Sequence, residues 1–183
     1  MNFVHSGANV SALAGRPPML GGGTAAASHV VIIPSYNSGA KLFNTVAEIR
    51  RQELVVWVVI DGSTDGTGEQ LARIAAGDPG LEVFHLPTNR GKGAAVLHGL
   101  GVAQARGFTH VLTMDADGQH SADHIGPLIA LSRAHPEAMV LGLPVFDASA
   151  PGIRVAGHRI ANFCADLATL WSGIGDSLFG LRV

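Results

Sequence analysis

Asp115, Asp117 and Gln119 occupy alternate positions of MDADGQH (114–120), with His120 directly after. The apolar run THVLTM (109–114) leads into them, so the two acids stand where a strand is expected to end. Carboxylates brought together repel, and a divalent cation relieves that repulsion. A hard ion such as Mg2+ or Mn2+ takes oxygen ligands, keeps several waters and shares its shell with phosphates. Asp117, Asp115 and the Gln119 amide oxygen form a partial shell of that kind. A helix N-terminus that favours acidic residues accounts for the same pattern, and D-x-D alone does not separate the two. An EF-hand is excluded, because its sixth and twelfth positions counted from Asp115 hold His120 and Gly126. His120 and His124, i and i+4, lack a third zinc ligand at suitable spacing and read as solvent-facing.

Three further polar clusters carry chemistry. In VVIDGSTDGT (58–67), Asp61 follows an apolar strand and can accept hydrogen bonds from a ribose or a base edge. Ser63, Thr64 and Asp65 also fit ordinary turn and helix-capping roles. NRGKGAA (89–95) is a basic, glycine-rich turn able to approach a diphosphate. It is not a Walker A loop, since Gly93 rather than Ser or Thr follows Lys92. Nor is it a dinucleotide fingerprint, since Val96 stands at the last glycine position, and GTGEQL (66–71) fails in the same way at Leu71. The first cluster, PSYNSG (34–39), has no G-x-G, which argues against a nicotinamide or flavin enzyme.

These clusters need elements to hold them. HVVII (29–33), ended by Pro34, reads as a buried strand, as do LVVWVVI (54–60), LEVFHL (81–86), THVLTM (109–114) and AMVLGL (138–143). Between them, Leu42, Phe43, Val46 and Ile49 recur at helical spacing, Leu71, Ile74 and Ala75 mark a short helix, and KGAAVLHGLGVAQA is a small-residue helix. A further helix from about Ser121 carries Ile125, Leu128, Ile129 and Ser132. Apolar strands alternating with helices predict a parallel sheet covered on both faces. Such sheets bind ligands beyond the carboxyl ends of their strands, which is where all four clusters fall.

The length of 183 residues suits one domain with a substantial core. A formal charge of −2, without a basic block, excludes a general nucleic-acid surface. Cys164 is the one cysteine, so no internal disulfide forms, and it reads as a buried small hydrophobe on a helix in a reducing compartment. No run approaches the roughly 20 apolar residues of a membrane span. Residues 1–28 lack a signal-peptide pattern and read as a flexible leader rich in Gly, Ala and Ser. From 158 to 174 an apolar stripe of Ile160, Phe163, Leu167, Leu170, Trp171 and Ile174 suits core burial better than a membrane surface, as its polar face lacks basic residues.

Taken together, the clusters resemble the family 2 glycosyltransferases of GT-A fold, in particular the polyprenol-phosphate branch similar to dolichol-phosphate mannose synthase. VIIPSYN matches that family's opening strand and turn, VIDGSTDGT its V-D-D-G-S-T-D-G-T segment, NRGKGAAVLHG its N-x-G-K-G-x-A segment, and MDADGQH its D-A-D-x-Q-H metal motif. GDSLFGLRV resembles its D-x-x-x-G-F-R element, with Asp176, Gly180 and Arg182 in register and Leu181 in place of Phe. Ile60 departs from the pattern, standing where many relatives carry the first of two acids, so base or ribose contact rests on Asp61.

The resemblance implies an α/β GT-A domain over 29–183, a Rossmann-like three-layer sandwich with a mostly parallel central sheet, here expected to be cut short on its acceptor side. It implies transfer from a UDP- or GDP-sugar to a polyprenyl phosphate, another lipid or a glycan, with inversion at the anomeric carbon. Pro34, Tyr36, Asp61, Lys92, Asp115, Ala116 and Arg182 are expected to bind the donor. Asp117, Asp115 and Gln119 are expected to hold Mg2+ or Mn2+. Asp176 is the candidate base, or a positioning group if the acceptor is already an anionic phosphate. The expected location is cytoplasmic, with peripheral association at the inner face of the cell membrane. A nucleotide-sugar binding domain without catalysis is the alternative. A nucleotidyltransferase lacks its glycine-rich signature here, and a D-x-D-x-T phosphatase fails because Gln119 occupies the Thr position.

Overall fold

The computed structural model describes residues 29–118, 121–140, 142 and 183. Expectations placed on residues 1–28, on Gln119 and His120, on Cys164 and the 158–174 stripe, and on Asp176 and Arg182 lie outside the described residues. The chain runs β1 (His29–Ser35), α1 (Ala40–Arg50), β2 (Val56–Asp61), α2 (Thr67–Ala75), β3 (Leu81–Leu86), α3 (Lys92–Ala105) and β4 (His110–Thr113). A 3₁₀ turn (Ala122–His124) then leads directly into α4 (Ile125–Ala134).

The four strands form one parallel sheet in the order β3-β2-β1-β4. Every residue of the inner strand β2 is buried, which is why it reads as an unbroken apolar run. The chain steps outward from β1 to β2 to β3, then reverses, and α3 carries it back to the far side of β1. With crossovers of one hand, that reversal moves the helix to the opposite face. One core cluster accordingly packs Leu42, Val46 and Ile49 of α1, Leu71 of α2 and Ile125 and Ile129 of α4 against Val31, Ile33 and Val58. The other packs Ala95, Val102 and Ala103 of α3 against Val30, Ile32, Trp57 and Val59. Ser132 is fully buried among the apolar residues of α4, and its hydroxyl meets Nε2 of His29 at 3.2 Å, so it is not left unsatisfied.

Pro34 shapes the top of the sheet. Along a parallel strand, successive residues direct their backbone groups to opposite neighbours. Val31 N–H donates to Val55 O on the β2 side, while Ile32 O accepts from Met114 N on the β4 side. Pro34 belongs with Ile32 to the set facing β4, and it has no N–H to continue that ladder. Pairing with β4 ends at Ile32–Thr113, whereas pairing with β2 runs on through Ser35–Ile60. The strand thus continues two residues past the expected stop at Ile33, and β1 and β4 part where Pro34 sits.

α2 forms where its spacing predicts, but Ile74, one of the three apolar residues that mark it, is 53% exposed. That helix covers the edge strand β3, so only a narrow stripe through Thr67, Gly68 and Leu71 finds sheet beneath it. The fifth strand expected over 138–143 is only partly among the described residues; there, Val140 and Val183 exchange both backbone hydrogen bonds at 2.9 Å, the mark of an antiparallel pair.

The opposite end of the sheet is tied by arginines. Arg106 pairs with Glu82 and lies over the rings of Trp57 and Phe84, 5.0 and 5.5 Å from their centroids. Arg50, at the end of α1, grips Asp78 with Nε and Nη2 at 2.7 and 2.6 Å and also reaches the carbonyl of Leu54. Hydrogen bonds from Arg50, helped by the Gly80 N–H, hold the Asp78 carboxyl below its ordinary value of 3.8. A carboxyl lowered on folding stabilises the fold above its unfolded value and loses that contribution as pH falls through the folded one. Urea unfolding between pH 2.5 and 6 should therefore show Asp78→Asn less stable than the parent at pH 6. The gap should close as pH drops below about 4, the window set by that lowered carboxyl.

Candidate functional site

Each strand-end cluster becomes a loop, and each loop is bonded to the next. After β1, Asn37 takes a left-handed φ of 47° that asparagine tolerates. Its N–H donates to Ser63 Oγ at 3.0 Å, and its side-chain oxygen accepts from Thr64 N–H at 2.9 Å. Asp65 accepts from Gly39 N–H and Thr67 N–H, both at 3.1 Å. The hydrogen bond with the Thr67 side chain is the main cause of its lowered carboxyl pKa. Ser63, Thr64 and Asp65 thus serve as turn and helix-start residues that join the first two loops.

Asp61 joins the second loop to the third. It is 2% exposed, and its oxygens accept from Arg90 N–H at 2.9 Å and Gly91 N–H at 2.7 Å. Gly62 completes the junction, its N–H donating to Leu86 O and its φ at +66°. A Cβ on Gly62 would stand 2.3 Å from Asn89 N and 2.6 Å from Thr88 C. The third loop then opens α3 with Lys92, whose ammonium forms an ion pair with Asp115 in the fourth. Beyond Asp115, Gly118 turns the chain with a φ of +71°.

The loops enclose a cleft of about 310 Å³ over the gap between β1 and β4, the point where strand order reverses and α/β sheets bind ligands. Pro34, Tyr36, Asp61, Lys92, Asp115, Ala116 and Asp117 all line it. Every described residue expected to bind the donor or a metal is therefore in one place. Tyr36, the only tyrosine, is 52% exposed at the rim. Sequence reasoning did not single out Ser35, Ser38, Asn89, Gly91 or Ala95, which also line the cleft. Ser35 and Ser38 share a hydroxyl hydrogen bond of 2.9 Å, and Asn89 Oδ1 accepts from Gly91 N–H at 2.9 Å. All five lie within the polar clusters already quoted or the start of α3, so their position was the available signal.

Among the described residues no group of three or more His, Cys, Asp or Glu side chains could hold a metal. Asp115 and Asp117 alone offer two hard carboxylates at one turn, which fits a partial shell completed by other oxygens. They do not fit a closed protein cage for zinc. His124 is exposed, as expected of a solvent-facing histidine.

The junction at Gly62 is testable by substitution. Gly62→Ala combines a left-handed φ with a backbone collision, and should cost more than about 2 kcal/mol in urea unfolding. Gly66→Ala, in the left-handed region at φ 74° and ψ 2° with only the end of the Gln70 side chain within 4 Å of its added Cβ, should cost only about 1 kcal/mol. Equal losses would show that the third loop is not held against Gly62.

Comparison with known proteins agrees with this geometry. Undecaprenyl-phosphate mannosyltransferase of Micrococcus luteus is 37% identical over 147 residues, 79% of this chain and 56% of that protein. Polyprenol monophosphomannose synthase of Mycolicibacterium smegmatis is 36% identical over 103 residues, 55% of this chain and 39% of that protein. The matched stretch thus spans about half, or less, of these relatives. In structure, S. aureus TarS 1-349 aligns with a TM-score of 0.53 at 27% identity, over 68% of this chain and 37% of that one. The model of the family described as Glycosyl transferase family 2 matches residues 30–174. With its parallel sheet, its cleft at the strand reversal and this match, the chain has the α/β GT-A fold and belongs to glycosyl transferase family 2.

Proposed function

We propose that this chain transfers a sugar from a UDP- or GDP-sugar to a polyprenyl phosphate at the cytoplasmic membrane face, with a divalent metal and inversion at the anomeric carbon. The observation that carries this reading is the convergence of Pro34, Tyr36, Asp61, Lys92, Asp115, Ala116 and Asp117 on one cleft at the strand reversal. The names of the M. luteus and M. smegmatis relatives supply the acceptor class and the mannosyl group as the first sugar to test. Among the described residues no helix is long and apolar enough to cross a membrane; the membrane location proposed here rests on the lipid acceptor.

Each residue has a role in that reading. Tyr36 offers an exposed ring at the rim for the base, beside Pro34. Asp61 has already given one lone pair on each oxygen to the Arg90 and Gly91 amides. Its remaining acceptor capacity faces the cleft, where it takes a ribose hydroxyl. Asp115, Asp117 and Gln119 would hold Mg2+ or Mn2+, which supplies positive charge to the diphosphate. As the acceptor oxygen attacks and the anomeric C–O bond breaks, negative charge builds on the leaving diphosphate, and Lys92 and Arg182 offset it. Attack opposite the leaving group inverts the centre. A phosphate acceptor is already anionic, so Asp176 orients it; a hydroxyl acceptor would need Asp176 as base.

Calorimetry with GDP- and UDP-sugars, with and without Mn2+, should show one of the two nucleotides binding more tightly with metal. Asp117→Ala should abolish that gain and lower kcat/KM for transfer to a polyprenyl phosphate by about 10²-fold or more. Metal-independent affinity that Asp117→Ala leaves unchanged would sink the transferase reading. Donor binding with neither transfer nor donor hydrolysis would favour a binding domain instead.

A further inference from the structure

The geometry points to Lys92 and a divalent cation as alternative partners of Asp115, so that metal and diphosphate enter the cleft as one coupled event. This rests on the nucleotide-sugar reading above and adds a device to it. The Lys92 ammonium pairs with Oδ1 of Asp115, the acid that the metal also needs. The Asp115 side chain is 26% exposed and that of Lys92 54%. The pair thus lies at the cleft surface, in reach of solutes, and not in the core. A surface pair of this kind is weak enough to be exchanged.

Two positive charges on one carboxylate oxygen repel, so an ion arriving at Asp115 displaces the ammonium. Lys92 does not travel far when displaced. It is the first residue of α3, and the loop before it is fastened by the Arg90 and Gly91 amides to Asp61. The ammonium therefore remains over the cleft, where a diphosphate is the partner of opposite charge. In the other direction, a diphosphate that draws Lys92 away leaves Asp115 available to the metal. Coupling between two binding events is reciprocal, so each ligand raises affinity for the other.

Mn2+ binding followed by electron paramagnetic resonance on the whole 183-residue chain tests this without relying on turnover. Lys92→Met should bind Mn2+ alone roughly two- to fivefold more tightly than the parent, the range expected from removing a weak surface pair. Arg90→Met is the control, since Arg90 is an exposed cation of the same loop that contributes only its backbone N–H to Asp61; its Mn2+ affinity should match the parent. Added GDP or UDP should tighten Mn2+ binding in the parent and do so less in Lys92→Met. Asp115→Asn, introduced into both the parent and the Lys92→Met variant, should remove the difference between them. Equal Mn2+ affinity in the parent and Lys92→Met, equal tightening by Arg90→Met, or no Mn2+ uptake by any of these proteins would each overturn the exchange. If Lys92→Met tightens Mn2+ while neither GDP nor UDP affects it, the exchange at Asp115 stands and the donor reading falls.

Discussion

A carboxylate that folding removes from water must be given hydrogen bonds, and Asp61 receives them from two backbone amides of a different loop. Hydrogen bonds to a charged group contribute about 1.5–3 kcal/mol each, and losing the acceptor would take from the Arg90 amide its carboxylate partner and leave the Gly91 amide with Asn89 Oδ1 alone. The top of the molecule is organised around that demand. The third loop cannot lift away without stranding Asp61, and it cannot approach unless residue 62 lacks a side chain. Once it is down, α3 begins with Lys92 directed at the fourth loop, and the cation and the acid meet. The buried acid is therefore as much a fastener as a ligand, and the cleft beside it takes its outline from the loop that it fastens.

The second constraint is the missing N–H at Pro34. A proline inside a central strand normally costs a ladder bond, yet here the lost bond is on the side where the sheet must open. Pairing with β2 persists through Ser35, so the floor of the cleft remains rigid while β4 diverges. The reversal of strand order and the gap coincide because both fall between β1 and β4. Tyr36, just past the end of β1, and Asp115, just past the end of β4, both line the cavity above that gap.

How much of this could be read in the sequence depended on the range of the interaction. β2, buried along its whole length, is almost entirely apolar, and the partly buried β3 and β4 keep enough apolar residues that all three were visible within a residue or two, while α3 was found at its observed bounds, Lys92–Ala105. The location of the site was also legible, since polar clusters recur after each apolar run and parallel strands bring such ends together. What was not legible was pairing across the chain. Asp61 finds its partners at Arg90 and Gly91, and Lys92 finds Asp115, through the fold alone. Local pattern likewise showed Pro34 as a strand stop, because the identity of the neighbour it faces is set by sheet order. The exposure of Ile74 was hidden for a related reason: helical spacing shows that a helix forms, but the amount of sheet beneath it is a tertiary fact.

The two ends of the sheet divide their electrostatics differently, and that division bears on function. At the lower end, Arg50 and Arg106 are bidentate to carboxylates, and Arg106 is covered by aromatic rings. Planar guanidinium groups with several fixed bonds are poor at exchanging partners. At the upper end the cation is Lys92, a single ammonium on a flexible stem against one oxygen of Asp115. A point charge with rotatable donors changes partner at little cost. Replacing Lys92 with arginine would bring a planar fork to Asp115 and deepen the pairing, which opposes the exchange that metal and diphosphate require. The choice of lysine at the cleft and arginine at the base is thus consistent with one end built to hold its pairs and the other to trade them.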